Sequence, residues 1–170
     1  MATTIQPRLF KTSIDLAEPT RLQMIDLLSS CLADISDLQT HAKHAHWNVK
    51  GSQFLSLHSL FEQIASRLQR QADDVAERIT ALGGVAAGTA RQIAGASNVP
   101  EYDLEAVAGE DHIAALAKRL AQVAGHVRTG VAVAHQLGDD ASGDLLSEIV
   151  RQADKDLWLL EAHLQVGVSE

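Results

Sequence analysis

HWNVKGSQFLSLHSLFEQIASRLQRQADDVAERITALGG, residues 46–84, decides the fold. From about Phe54 to Leu82 its apolar residues recur at helical spacing. On a wheel of about 100° per residue, Leu57, Phe61, Ile64, Leu68, Val75, Ile79 and Leu82 lie within roughly 30° of one line. That line is a core-facing stripe, and Gly83-Gly84 ends the helix. His58, Glu62, Asp73 and Glu77 share a different face, at roughly 100° to 200°. With His46 just upstream, the stretch offers two imidazoles and three carboxylates, a donor set suited to iron or zinc.

The spacing contains a conflict. His58 with Glu62, and Asp73 with Glu77, are each i, i+4 neighbours able to touch one ion. The two pairs stand 15 residues apart from His58 to Asp73, or roughly 22 Å along a helix, against metal-ligand distances of about 2 Å. A second copy of the helix running antiparallel removes the conflict. Both His58/Glu77 and Glu62/Asp73 are centred between Arg67 and Leu68, so a two-fold crossing there sets His58 opposite the partner's Glu77 and Glu62 opposite the partner's Asp73. Ala65, Ser66 and Gln69 between them are mostly small. The expectation is a two-fold dimer with two equivalent metal sites. On spacing alone, a solvated helix face remains the alternative.

Outward from this helix, the rest of the chain reads as helical too. A segment from about Pro19 to Trp47 repeats Ile25, Leu28, Leu32, Ile35 and Ala42, and ends at Asn48 and Gly51. Residues 85–100 are rich in turn formers and read as a connection with at most a short helix. A further helix is expected from near Asp103 to Gly138, on Leu116, Leu120, Val123, Val127 and Val131. Asp139 or Asp140 can cap the last, whose stripe is Leu146, Ile149, Ala153, Leu157, Leu160 and Leu164. No strand-like run appears, so the fold class is all-α, a four-helix bundle with a short helix or loop in the long connection between helices two and three. Residues 1–18 are expected to form a tail and 19–167 the single domain.

Composition excludes several functions. The net charge of −8, from 14 basic and 22 acidic residues, argues against a broad nucleic-acid surface, and Asp15 and Glu18 offset Arg8 and Lys11 near the start. No run of 18 apolar residues and no secretory leader is visible, so a soluble cytoplasmic protein, free or beside the nucleoid, is expected. One cysteine permits no disulfide framework, and Cys31 reads as a core residue.

The run from His46 to Gly84, with GTARQIA, PEYD, GDDASGDLL and DKDLWLLEAHL in order after it, resembles the Dps family of ferritin-like proteins. The resemblance covers almost all of the chain after residue 20. It implies a ferritin-like four-helix subunit, a homododecameric shell built from two-fold dimers, and ferroxidase centres between subunits. Each centre would take two iron ions, with His46, His58 and Glu62 from one chain and Asp73 and Glu77 from its two-fold partner. The family pattern has Asp where this chain has Glu62, one methylene longer. The ordinary di-iron bundle is disfavoured, because no Glu-x-x-His pair occurs in the chain. The implied chemistry is oxidation of Fe(II) by hydrogen peroxide, in preference to dioxygen, with ferric mineral stored in the cavity and DNA thereby protected.

The same resemblance places Asp140, Asp144 and Glu148 along three-fold pores that admit iron, where helix N-terminal acids facing the macrodipole are the alternative reading. It sets Trp47 beside the oxidation site, as a radical sink or simply as packing, and Trp158 reads as packing. His41 and His44 are expected at the surface or an interface. His112, His126, His135 and His163 have no acidic partner at ligand spacing and are assigned no metal role. Two functions compete with the ferroxidase: a DNA-condensing nucleoid protein with secondary iron chemistry, and a zinc or manganese site without redox turnover. Twelve chains would carry about −96, so direct DNA binding is expected to be weak or absent without basic arms.

Overall fold

A computed structural model describes residues 8–165. Four long helices carry the fold: α1 (Glu18–Asn48), α2 (Phe54–Ala81), α4 (Gly109–Leu137) and α5 (Asp140–Glu161), with a short α3 (Ala90–Ala96) in the connection after α2. Among the described residues there is no strand, only an isolated parallel bridge between Lys50 and Ala108. Helices α1 and α2 pack as one hairpin, α4 and α5 as another, and α1 against α4 joins the two. The fold class is as expected, and the short helix in the long connection is present.

The sequence stripes become the core. Leu57, Phe61, Ile64, Leu68, Val75, Ile79 and Leu82 are all buried, as are Leu28, Ile35, Leu116, Leu120, Leu146, Ile149 and Leu160. Leu164, assigned to the last stripe, instead lies exposed beyond the end of α5. Cys31 is fully buried, which pushes its thiol up to about 12 and leaves it an unreactive packing group.

Helix α4 begins at Gly109, six residues later than the apolar pattern suggests. Tertiary bonds hold the preceding segment out of the helix. The amide of Lys50 donates to the Val107 carbonyl, and the guanidinium of Arg119 donates to the carbonyls of Pro100 and Glu101. The junction from α4 to α5 follows local chemistry. Gly138 takes the left-handed conformation at φ +77°, and the buried Asp139 caps α5 by accepting from the Ser142 amide at 3.1 Å.

Residues 8–16 are docked against the bundle. The Phe10 amide donates to Gly83 O at 2.7 Å, Arg21 Nη1 donates to Leu82 O at 2.8 Å, and Leu9 and Leu16 pack on the core. Gly83, at φ +94°, lies so close to the Phe10 carbonyl that a side chain would collide with it. Residues 1–7 of the expected tail, and 166–167 of the domain, lie outside the described residues.

Candidate metal centre

His46 sits in the last turn of α1 and His58 in the second turn of α2, brought together by the five-residue connection between the helices. Their rings stack at 3.7 Å between centroids, 22° from parallel. Each is oriented by the other's backbone: His46 Nδ1 is 2.8 Å from His58 O, and His58 Nδ1 is 2.7 Å from His46 O. A carbonyl only accepts, so both Nδ1 atoms carry a proton, and in the neutral ring the lone pair is left on Nε2. This is the tautomer a metal ligand needs, fixed by the carbonyl behind it.

Glu62, one turn beyond His58, reaches the same place. Its Oε2 lies 3.3 Å from His46 Nε2 and 2.5 Å from Lys43 Nζ. Lys43 draws the Glu62 carboxyl below the usual range by hydrogen bonding and by its charge, with smaller help from His46 and His58 and some opposition from burial. Once Nδ1 holds the proton, Nε2 and Oε2 are two electron-pair donors facing each other. A cation about 2.1 Å from each fits between them, so the residues present suit a bound metal.

Asp73 and Glu77 do not join them. Both are exposed on the far half of α2, and among the described residues no three His, Cys, Asp or Glu side chains form a metal-holding group within the chain. Asp73 lines an open groove of about 590 Å³ between α2 and α5, together with Arg70, Glu148 and Arg151. Asp140 and Asp144 are exposed at the start of α5, and Asp140 accepts from or pairs with His135 Nδ1 at 2.9 Å. Trp47 is 67% exposed, and the Lys43 ammonium lies 5.6 Å from its ring centroid. Phe54 and Leu55, at the same end of α2, are exposed as well.

Several polar residues hold roles that the spacing did not reveal. Lys43 is three residues before His46 and four before Trp47, on one helical face, and that offset was the signal available for it. His41 is buried and His44 half-buried, not surface groups, because both rings pack against Tyr102. His126 has an acidic partner after all: Asp34, 92 residues away and buried, at 2.7 Å. A contact of that sequence separation leaves no mark in local spacing.

The Ferritin-like domain family matches residues 25–167. The DNA protection during starvation protein of Agrobacterium fabrum is 34% identical over 155 residues, covering 91% of this chain and 96% of that protein. The chain belongs to the Dps family. DNA protection during starvation protein 2 of Bacillus anthracis is 32% identical over 142 residues, 84% of this chain and 97% of that one. Among solved structures, DpsC from Streptomyces coelicolor superposes with a TM-score of 0.90 at 29% identity, covering 98% of this chain and 99% of that chain. A Dps protein from Vibrio cholerae, described as a member of a broad superfamily of ferritin-like diiron-carboxylate proteins, gives 0.85 at 25% identity over 92% of this chain and 98% of its own. Like these Dps proteins the chain is all helical, and no described helix is long and apolar enough to cross a membrane.

Proposed function

We propose that this Dps-family chain is a ferroxidase, oxidising Fe(II) at centres shared between two-fold-related subunits and storing the ferric product inside a dodecameric shell. The observation that carries this reading is the half-built site. His46, His58 and Glu62 converge with two free Nε2 lone pairs and a carboxylate oxygen, while Asp73 and Glu77 lie exposed on the same helix at a distance only a second chain can bridge. Trp47, Phe54 and Leu55 leave an apolar rim around that half-site, of the kind a subunit contact covers.

Iron is the substrate, and the chain's own groups do the binding and orienting. Imidazole nitrogen suits Fe(II), and carboxylate oxygen favours the harder ferric product. The backbone carbonyls hold both rings in the ligating tautomer before iron arrives, so little reorganisation accompanies binding. Lys43 neutralises Glu62 in the free chain, and the ammonium must leave Oε2 before that oxygen gives itself fully to a metal. Its place over Trp47 offers an adjacent resting position.

Hydrogen peroxide is the oxidant we favour over dioxygen, since two ferrous ions match its two-electron reduction and no hydroxyl radical escapes. DNA protection then follows without contact with DNA. The net charge of −8 and the docked residues 8–16 support this order of roles over DNA condensation. Asp140, Asp144 and Glu148 are the residues we place along iron entry, and Trp47 is a packing group first and a radical sink second. The cytoplasm is the compartment this chemistry suits.

The test is anaerobic Fe(II) loading followed by peroxide or dioxygen, in wild type, His58→Ala and Asp73→Ala. Both variants should oxidise iron more slowly. Equal rates in all three would sink the assignment, and bound zinc or manganese without turnover would favour the non-redox site.

A further inference from the structure

The long connection between α3 and α4 is fastened to the bundle by an unusual set of groups. Tyr102, its buried anchor, is ringed by three imidazoles and a guanidinium. Its hydroxyl is 2.8 Å from His112 Nδ1, its ring lies 5.3 Å from His41 and 4.9 Å from His44, and the Arg119 guanidinium stands 5.0 Å from its centroid. His112 is fully buried and His41 nearly so. His41 Nδ1, His44 Nε2 and His112 Nε2 are buried without any hydrogen-bond partner. Arg119 donates to the carbonyls of Pro100 and Glu101, and its positive charge already occupies the pocket.

We propose that residues 97–108 form an acid-sensitive clamp, held on the bundle while His41 and His112 are neutral and released when those two imidazoles take up protons. The geometry leaves an added proton poorly served. A protonated His112 must donate from both ring nitrogens, yet Nε2 has no acceptor and Nδ1 faces a hydroxyl. The titratable and charged groups facing His112 are Lys50 from the turn, His44 from α1 and Asp111 from its own helix, and Asp111 is exposed. Facing His41 are Arg119 from α4, Glu101 from the connection, and Asp37 and His44 from α1; the nearest carboxylate, Asp37, lies 3.6 Å from Nε2. Burial is the largest influence on both histidines and lowers both.

The sign follows from that direction. The folded state holds these two groups neutral, so their contribution is fully present above the ordinary value of 6.5 and is lost as pH falls below it. Each histidine shifts the opening equilibrium by up to about tenfold per pH unit in that window, and the two together by up to about a hundredfold. Opening reaches the metal centre's neighbourhood, because the Val107 carbonyl holds the Lys50 amide at 3.1 Å and Gly109 lies against Leu57, the neighbour of His58. The clamp stands whether or not that centre oxidises iron.

Hydrogen exchange of the assembled protein between about pH 7.5 and about pH 5, corrected for intrinsic rates, tests the clamp. Residues 97–108 should open steeply below about pH 6.5 in the wild type, and a His41→Gln/His112→Gln pair, which cannot titrate, should flatten that dependence. Equal pH dependence in the two proteins overturns the proposal. Should the pair fail to fold, the wild type still decides: Tyr102 is the only tyrosine, so one fluorotyrosine resonance reports the clamp. A shift to a solvent-exposed signal on acidification supports it, and a signal unmoved to about pH 5 overturns it.

Discussion

Glu62 shows what one side chain's length can settle. Its Oε2 lies between His46 Nε2 and the Lys43 ammonium, so in the free chain a lysine competes for the oxygen that the proposed centre needs. Lys43→Met keeps the chain's length and removes the charge. It should tighten anaerobic Co(II) binding several-fold by calorimetry, since the carboxylate no longer has to be released first. Unchanged affinity would mean that the ammonium leaves at no cost. The candidate ligand residues of the proposed centre are chosen by type and spacing, since i, i+4 pairs on one helix face need no tertiary knowledge. Lys43 was not assigned, because a lysine is ordinarily a solvated surface group and only the packing of α1 on α2 turns it toward Glu62.

Helix by helix, the apolar stripes predicted the core well, because burial of one face leaves a periodic trace. The start of α4 failed for the opposite reason: residues 103–108 have helix-compatible side chains, but Lys50 captures the Val107 carbonyl and Arg119 those of Pro100 and Glu101 just before them. Buried carboxylates were equally hidden. Asp156, 2% exposed, accepts from Arg67 at 2.6 and 3.1 Å and ties α5 to α2. Asp156→Ala should cost about 3 kcal/mol in denaturant unfolding, since it strands a half-buried guanidinium. Asp139 carries both the α5 cap and a bond from Arg78 at 2.7 Å, and Asp139→Ala should lower stability by roughly 2 kcal/mol.

At the scale of the whole molecule, a centre divided between two chains has a signature that no single-chain site can imitate. In a mixed dimer of His58→Ala with Asp73→Ala, one centre carries both lesions and the other carries none. The two slowed variants should therefore regain iron oxidation when unfolded and refolded together, up to half of the wild-type centres in each mixed dimer. No recovery in verified mixed dimers would mean that the two residues do not serve a shared centre. Charge gives a second prediction: gel shifts at physiological salt without divalent ions should show free DNA. The number of subunits was not written in any one helix, whose spacing speaks only of the nearest partner.

The crossed bonds between His46, His58 and each other's carbonyls have one more consequence. The His46 carbonyl belongs to the last turn of α1, where helix geometry leaves oxygens without an amide. The ring of His58 fills that vacancy, so a proposed ligand doubles as the stopper of its neighbour's helix. Removing the His58 imidazole strips that donor from the α1 end, yet His46 Nδ1 still meets the His58 carbonyl, so each ring keeps its orienting bond when the other is deleted. The stack at 3.7 Å is then the one contact that couples the two side chains, and a double-mutant cycle on Co(II) affinity should show a small coupling beyond simple addition.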